Sequence, residues 1–290
     1  MDVDQRKTVV ILFILLISSA TRAQMKKEIA GFDYISLGNN NSKNSVRFDK
    51  YSIRFAMPIS LKNQRNLLIN KFEYAQANIY YPISDLNFKE LEQFHTISYS
   101  MGYMKKLKNN WAMMGMISPR ISSNLTSSVQ WNDIRLMGMF MMMKKLKPNV
   151  DLQFGLMYSS TTGVPAPLPM FSLMWQYNEK WSFNFGFPNL KINYKVGNNT
   201  DIAANLTMVG DNYTLSEDLY KEEKKIDNIR IMNLGGGIML TQKLYKMLKF
   251  NLSSGFTFYR KFELLNEKDS VKKYDLDNDL YLKIGISLGL

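Results

Sequence analysis

The sequence contains no cysteine and only one histidine. Without cysteine the chain has neither a disulfide framework nor a site for a lipid anchor at an N-terminal cysteine, so its stability must come from packing or from a membrane. The single histidine, His95, excludes metal sites with several histidine ligands and relays between two histidines. We therefore predict no catalytic residue, no metal site and no cofactor.

The sequence also lacks an apolar run long enough for a membrane-spanning helix. Its longest run, VVILFILLI at 9–17, is far short of the roughly 20 residues that such a helix needs. Arg6 and Lys7 precede this run, and a small-residue cleavage site follows at Ala23, with Ala20 as the alternative. The pattern predicts a cleaved signal peptide at residues 1–23, so any membrane span in residues 24–290 must consist of strands.

Acidic residues are fewer than basic ones, and the formal net charge is +12. An excess of positive charge is compatible with nucleic acid, anionic lipid or an anionic solute as a partner. Export through a signal peptide disfavours nucleic acid, so we predict no nucleic-acid partner.

The clearest pattern in the sequence is a strict alternation of apolar with small or polar residues. In DLYLKIGISLGL at 279–290, every second residue from Leu280 to Leu290 is aliphatic. A period of two indicates a β-strand with one apolar face. Similar segments recur along the chain and predict about fourteen strands, or twelve because the split at Pro188 is the weakest of the series.

The connections between these segments alternate between short and long. Short connections rich in Lys and Asn, such as 108–110, 147–149 and 178–180, predict tight hairpin turns. Longer polar connections include 211–227 and 262–277. Within the first of these, EDLYKEEKKID at 217–227 predicts an exposed mixed-charge loop, helical in one interpretation.

The second faces of the predicted strands favour a membrane barrel over a soluble sandwich. A sandwich requires strongly polar outer faces, whereas these faces carry Gly, Ser, Asn and Met with scattered charges. Aromatic residues also cluster near the strand ends, as in membrane-interface girdles. They are Tyr80, Tyr81, Trp111, Tyr158, Trp175, Tyr177, Trp181 and Tyr259.

Together these features predict an all-β, transmembrane, antiparallel up-and-down β-barrel in the cell outer membrane, surrounded by outer-membrane lipid. Short turns on one rim and longer loops on the other predict periplasmic and extracellular ends, respectively.

The segment pattern, the AQ after the predicted signal peptide and the stretch TTGVPAPLPMFSLMWQYNEKWSFNFGFPNLKINYKV at 161–196 resemble an uncharacterised family of outer-membrane β-barrel proteins from Bacteroidota. The resemblance implies a fold and a location only. Such barrels commonly end on an aromatic residue that the barrel-assembly machinery recognises in the C-terminal strand, whereas this chain ends on Leu290.

Charged residues on the predicted inner faces are mostly basic. The candidates for lining the lumen are Lys50, Arg54, Arg135, Lys191, Lys195, Lys249 and Lys283, against Asp151. A confined positive field concentrates anions. The alternative interpretation is that several of these lysines lie near turns and only solvate the rim.

We therefore predict a passive pore or carrier for small or amphipathic solutes, with a preference for anions. The alternative is a plugged structural or adhesive barrel that binds a partner through its outer loops.

Two further motifs indicate a narrowing of the lumen. Pro165, Pro167 and Pro169 in GVPAPLP at 163–169 lack N–H groups, so this segment is either a rigid outer loop or a constriction folded inward. The glycines of GGG at 235–237 predict a bulge, or a close approach by another group inside the barrel.

Methionine is unusually frequent, with 20 residues, and MGMFMMMKK at 137–145 places four of them on one face with Arg135. One interpretation is a track for a soft metal or a hydrophobic ligand. We favour the other, in which flexible methionines fill an irregular lumen wall.

Overall fold

The computed structural model describes residues 28–38, 46–61, 66–81, 89–129, 131–158, 167–221, 224–267 and 269–289. The predicted signal peptide and Pro165 lie outside these ranges. The described residues form fifteen strands: β1 Glu28–Leu37, β2 Arg47–Ser60, β3 Asn66–Tyr80, β4 Gln93–Lys106, β5 Trp111–Ser123, β6 Ile134–Lys147, β7 Val150–Tyr158, β8 Pro167–Gln176, β9 Trp181–Phe187, β10 Lys191–Lys195, β11 Thr200–Lys221, β12 Lys224–Lys243, β13 Leu248–Asn266, β14 Asp269–Asp275 and β15 Leu280–Gly289.

One antiparallel sheet closes into a ring of fourteen strands. Neighbouring strands pair in chain order from β1 to β13, and β15 pairs with both β13 and β1. The remaining strand, β14, pairs with β13 beyond the ring. The predicted barrel and its strand number are confirmed, and the chain is split at Pro188 into β9 and β10.

The two faces of the sheet differ as the alternation predicts. Side chains such as Phe55, Ile286 and Leu288 are exposed on the outer face. In β15 the exposed Leu282 alternates with the inward side chains of Tyr281 and Lys283. A closed ring with an apolar outside can span a bilayer. Neither of the two short helical turns among the described residues is long and apolar enough to cross a membrane.

Aromatic side chains form a belt at the end of the barrel that carries the tight turns, hereafter the short-turn end. The ring centroids of Trp175 and Tyr177 are 5.1 Å apart, and those of Trp181 and Tyr194 are 4.7 Å apart. The ammonium of Lys144 lies over the ring of Trp111, 4.9 Å from the ring centroid. Tyr81, which sequence analysis also assigned to a girdle, instead packs against the apolar core at the opposite, long-loop end.

Two segments that were predicted to be loops are strands, and that prediction was wrong. Residues 217–221 belong to β11 and residues 224–227 to β12, with Leu219 opposite Ile226. Most of 262–277 belongs to the end of β13 and to β14. The physical reason is that these charge-rich stretches also alternate, and their buried members, including Ile226 and Leu264, pack in the core.

The barrel wall is uneven in height. The neighbouring strands β9 and β10 have 7 and 5 residues, whereas β11 has 22. A strand needs about 9–11 residues to cross the hydrocarbon core of a bilayer. The wall is therefore low at β9 and β10, and β11 continues far beyond its neighbour.

Candidate functional site

At the long-loop end, apolar side chains from opposite walls meet inside the barrel. They come from β2, β3, β4, β11, β12 and β13, and all are buried. The rings of Phe94 and Tyr213 stack with centroids 4.6 Å apart. We call this cluster the apolar seal; its largest wall residues are Phe48, Ile79, Phe94, Tyr213, Ile231 and Phe262.

The seal forms because β11 leaves the wall and crosses to the other side. The backbone N–H of Leu206 in β11 donates to the carbonyl oxygen of Leu190. Beyond this bond β11 no longer pairs with β10, and at Thr214 it pairs with Ser123 of β5. The carboxylate of Asp211, 0% exposed, forms an ion pair with Arg120 of β5 and lies 3.6 Å from the ammonium of Lys50 in β2. These contacts hold the β11–β12 hairpin across the bore.

Arg135, a predicted lumen residue, also holds this hairpin. Its guanidinium donates to the carbonyl oxygen of Asn212 at 3.2 Å, to Oγ1 of Thr214 at 2.6 Å and to Oδ1 of Asn228. Neutral acceptors of β11 and β12 therefore bind the guanidinium of Arg135. Arg135 contributes to closure of the long-loop end.

Ten methionines share the inner face of β4 to β8. Adjacent strands place them opposite one another, as with Met114 between Met104 and Met141, and Met139 between Met116 and Met157. Rows of this kind give one half of the lumen a continuous, flexible and weakly polar lining. This methionine face comprises Met104, Met114, Met116, Met137, Met139, Met141, Met143, Met157, Met170 and Met174.

The opposite wall carries paired charges. The guanidinium of Arg54 bonds to Asp33 and, at 2.9 Å, to Glu28. The ammonium of Lys283 lies 3.8 Å from Asp33, and Lys71 lies 2.8 Å from Glu73. The lumen is therefore amphipathic, with methionine on one side and ion pairs on the other.

Apart from Arg135, the predicted cations fall into two groups. Lys50, Arg54 and Lys283 have acidic partners, so their charge is largely compensated. Lys191 and Lys195 of β10 form no ion pair within the described part of the chain, and the same holds for Lys249 of β13. All three face inward near the short-turn end.

Sequence analysis missed the inner acids Asp33, Glu73 and Asp211. Alternation could have found Asp33, since it lies between Gly31 and Ile35 in a strand whose other face is apolar. Asp211 was missed because its segment was interpreted as a loop.

A cavity of about 460 Å³ opens on the inner face of β7 to β10 at the short-turn end. This volume is typical of small-molecule sites. Both Lys191 and Met174 line it, so a cation and the end of the methionine face meet in one space. The lining residues are Pro148, Asn149, Asp151, Met174, Trp175, Gln176, Ser182, Phe183, Asn184, Lys191 and Asn193.

A second, smaller cavity of about 70 Å³ lies farther up the same wall. Inner-face residues such as Met141 and Ser172 line it together with Phe171 and Phe187, whose rings are exposed on the outer face. Asn184 borders both cavities.

The family described as Domain of unknown function (DUF6268) matches residues 20–289. This chain belongs to that family. No curated protein sequence matches it.

Several solved outer-membrane proteins are similar in shape. The COG4313 outer membrane channel from Pseudomonas putida F1 has 9% identity and a TM-score of 0.48 over 93% of this chain and 97% of that one. A Pseudomonas aeruginosa FadL homologue has 9% identity and a TM-score of 0.46, covering 89% and 88%. The TodX deltaS2S3 mutant monoaromatic hydrocarbon channel has 9% identity and a TM-score of 0.42, covering 90% and 89%. The assignment of the barrel rests on the closed sheet of this chain itself.

Two of the three prolines that were candidates for a constriction lie in the wall. Pro167 and Pro169 belong to β8, opposite Tyr158 and Leu156 of β7. Their side chains are exposed, on the same outer face as Phe171. They are strand residues rather than loop residues.

The glycines at 235–237 behave as predicted. The strand has a register shift between Leu234 and Gly235. A Cβ atom on Gly235 would lie 3.2 Å from Cε1 of Tyr281, and one on Gly237 would collide with the hydroxyl of the same tyrosine. Both the bulge and the close approach inside the barrel are confirmed.

His95 lies on the outer face of β4, where its Nδ1 is 2.9 Å from the hydroxyl of Tyr74. Its neighbours in the chain, Phe94 and Thr96, are buried on the inner face of the same strand. His95 therefore faces away from the lumen.

Proposed function

We propose that this protein is a passive outer-membrane channel or carrier for small amphipathic anions. The observation that carries the proposal is the 460 Å³ cavity in which Lys191 and Met174 share the lining. An amphipathic anion needs a cation for its head group and an apolar surface for its chain, and both are present there.

The lining chemistry supports each half of this assignment. Thioether side chains are flexible and polarizable, so a methionine face can accommodate alkyl or aromatic groups of varied shape. Lys191, Lys195 and Lys249, which form no ion pair among the described residues, outnumber the nearby acids Asp151 and Asp201 and supply a local positive field, while Asn184 and Asn193 offer amide donors. A confined positive field raises the local concentration of anions.

The proposed location is the outer membrane, with the short turns in the periplasm and the long loops outside. The short turns at one end of the barrel and the longer connections at the other support this orientation. We assign no catalytic role to the chain, and outer-membrane lipid and the barrel-assembly machinery remain the proposed partners.

Reconstituted vesicles test the proposal. Purified protein in liposomes is placed in isotonic potassium hexanesulfonate with valinomycin, which lets K⁺ follow the anion, or in arabinose, and swelling is followed by light scattering. Hexanesulfonate is permanently charged and amphipathic, so it does not cross protein-free liposomes readily. We expect rapid swelling in hexanesulfonate and slow swelling in arabinose.

The second candidate is a plugged structural or adhesive barrel. The apolar seal favours it, since wall residues such as Phe94 and Tyr213 pack against each other at the long-loop end and are fully buried. Vesicles that stay sealed in both solutes would support this candidate and contradict the channel.

A further inference from the structure

Two copies of the sequence KKLK lie side by side at the short-turn end of the barrel. The first, at 105–108, covers the end of β4 and the start of the turn to β5, and the second, at 144–147, ends β6. Strands β5 and β6 are paired, with Trp111 opposite Lys144, and the backbone N–H of Lys145 donates to the carbonyl oxygen of Asn110 at 3.0 Å. The strand register therefore brings both copies into one surface. We call this surface the basic rim; its cations are Lys105, Lys106, Lys108, Lys144, Lys145 and Lys147.

The charge of the basic rim is not compensated locally. Neither copy of KKLK contains an acidic residue, and the six lysines form no ion pair within the described part of the chain. Asp151 of β7 lies opposite Lys145 in the register, but no ion pair joins their side chains. Lys144 is half-buried, and the other five lysines are exposed. Six cations in two adjacent segments create a strongly positive surface.

Apolar side chains lie at the same level as these cations. Leu107 and Leu146, the third residues of the two copies, are 37% and 50% exposed. Trp111, which lies beneath the ammonium of Lys144, packs edge-on against Phe154 with ring centroids 6.1 Å apart. Phe154 belongs to the apolar outer face of the barrel. The basic rim is therefore continuous with the lipid-facing wall, at the level where head groups meet hydrocarbon.

We propose that the basic rim binds the anionic head groups of phospholipids in the leaflet around the short-turn end. Lysines grouped next to a membrane surface attract anionic lipid, and each one adds to the attraction. A lysine side chain also keeps its ammonium among the phosphates while its stem and a neighbouring leucine contact acyl chains. The exposed Leu107 and Leu146 therefore favour a lipid surface over a soluble acidic partner. This inference does not depend on the solute of the proposed function.

Spin-labelled lipids test the proposal. Purified protein is reconstituted into phosphatidylcholine bilayers that contain a trace of spin-labelled phosphatidylglycerol or of spin-labelled phosphatidylcholine. Electron paramagnetic resonance spectra then give the fraction of each probe that contact with the protein immobilises. We expect the association constant to be several-fold larger for phosphatidylglycerol than for phosphatidylcholine at low salt. The difference should shrink in about 1 M salt, where the Debye length is only about 3 Å.

A triple variant tests whether this preference belongs to the basic rim. It combines the substitutions Lys105→Gln, Lys108→Gln and Lys147→Gln. These three side chains are exposed, and the substitutions leave intact the bond from Lys144 Nζ to the carbonyl oxygen of Asn109. We expect the triple variant to lose most of its preference for phosphatidylglycerol.

The matched control removes the same charge from the long-loop end. It combines Lys89→Gln, Lys224→Gln and Lys272→Gln, at positions that form no ion pair among the described residues. We expect the control to keep the preference of the wild type, because its net charge equals that of the first triple variant while the basic rim is unchanged.

Equal association of both lipids with the wild type would overturn the proposal. So would a preference that the rim variant retains, or one that both triple variants lose equally. Heat-modifiable gel mobility shows whether each variant is folded. If the rim variant does not fold, the three substitutions are made singly, and an unchanged preference in all three would contradict binding at the basic rim.

Discussion

The ring of Tyr281 in β15 lies over Gly237 in β12, although β13 separates these two strands in the sheet. The hydroxyl of Tyr281 also lies 3.4 Å from Oγ1 of Thr207 in β11. One inward tyrosine thus spans neighbouring strands of the wall, and the glycine provides the space for it.

Gly237→Ala should destabilise the barrel. The added methyl group would meet Tyr281 and the backbone of Ser254 and Gly255, and such overpacking costs about 1–3 kcal/mol. Urea unfolding in detergent micelles, followed by heat-modifiable gel mobility, measures the loss. Gly115→Ala is the control, since no atom lies within 4 Å of its added Cβ; an equal loss in both variants would refute the packing argument.

Asp211→Asn should loosen the β11–β12 hairpin. Removing one partner of a buried ion pair leaves Arg120 and Lys50 uncompensated, which costs about 3–5 kcal/mol. The same unfolding measurement applies. Asp218→Asn is the control, because it breaks an exposed ion pair with Lys225 near the hairpin tip and should change the free energy of unfolding little. Similar stabilities of the two variants would argue against a structural role of the buried Asp211 carboxylate.

Ile286→Lys tests the orientation of the last strand. The side chain is 45% exposed on the outer face, and a lysine facing lipid costs about 2–4 kcal/mol near the midplane and less toward either rim. The folded fraction in liposomes should fall. Lys283→Gln is the control, because it removes an inward charge that makes only a long contact with Asp33. It should shift the free energy of unfolding by less than about 1 kcal/mol. A variant Ile286→Lys that folds as well as the wild type would mean that this face does not contact hydrocarbon.

Lys191→Gln should slow hexanesulfonate swelling several-fold and leave arabinose swelling unchanged. The substitution removes the cation that lines the larger cavity while keeping a long polar side chain. Lys180→Gln, in the exposed turn 178–180, is the matched control. A parallel decrease for both solutes would indicate damage to the barrel rather than loss of anion recognition.

Alternation was sufficient to predict most strands because each strand of a membrane barrel separates lipid from water. This separation imposes a period of two on β15 and β7, and the segments around Pro188 follow it even though they are short. The β11–β12 hairpin was missed at its tip because charged residues there mask the alternation of Tyr213, Leu215 and Ile226.

The candidate site was only partly predictable. The inward position of Lys191 follows from alternation, but its lack of an acidic partner does not, since Lys50 has the same local pattern and lies beside Asp211. The methionine face was visible in one strand, β6, and extends to five because hydrogen-bond register aligns Met114, Met141 and Met157 with their neighbours.

The sequence by itself determined the strands, their two faces and the closed sheet, because a local period of two is set by the pleat and by contact with lipid. Only the tertiary structure decided that apolar side chains of distant strands pack together at the long-loop end and that the wall is low at β9 and β10. Those features depend on which distant residues meet, such as Arg120 with Asp211 and Phe94 with Tyr213, and no local pattern encodes a contact between residues so far apart in the chain.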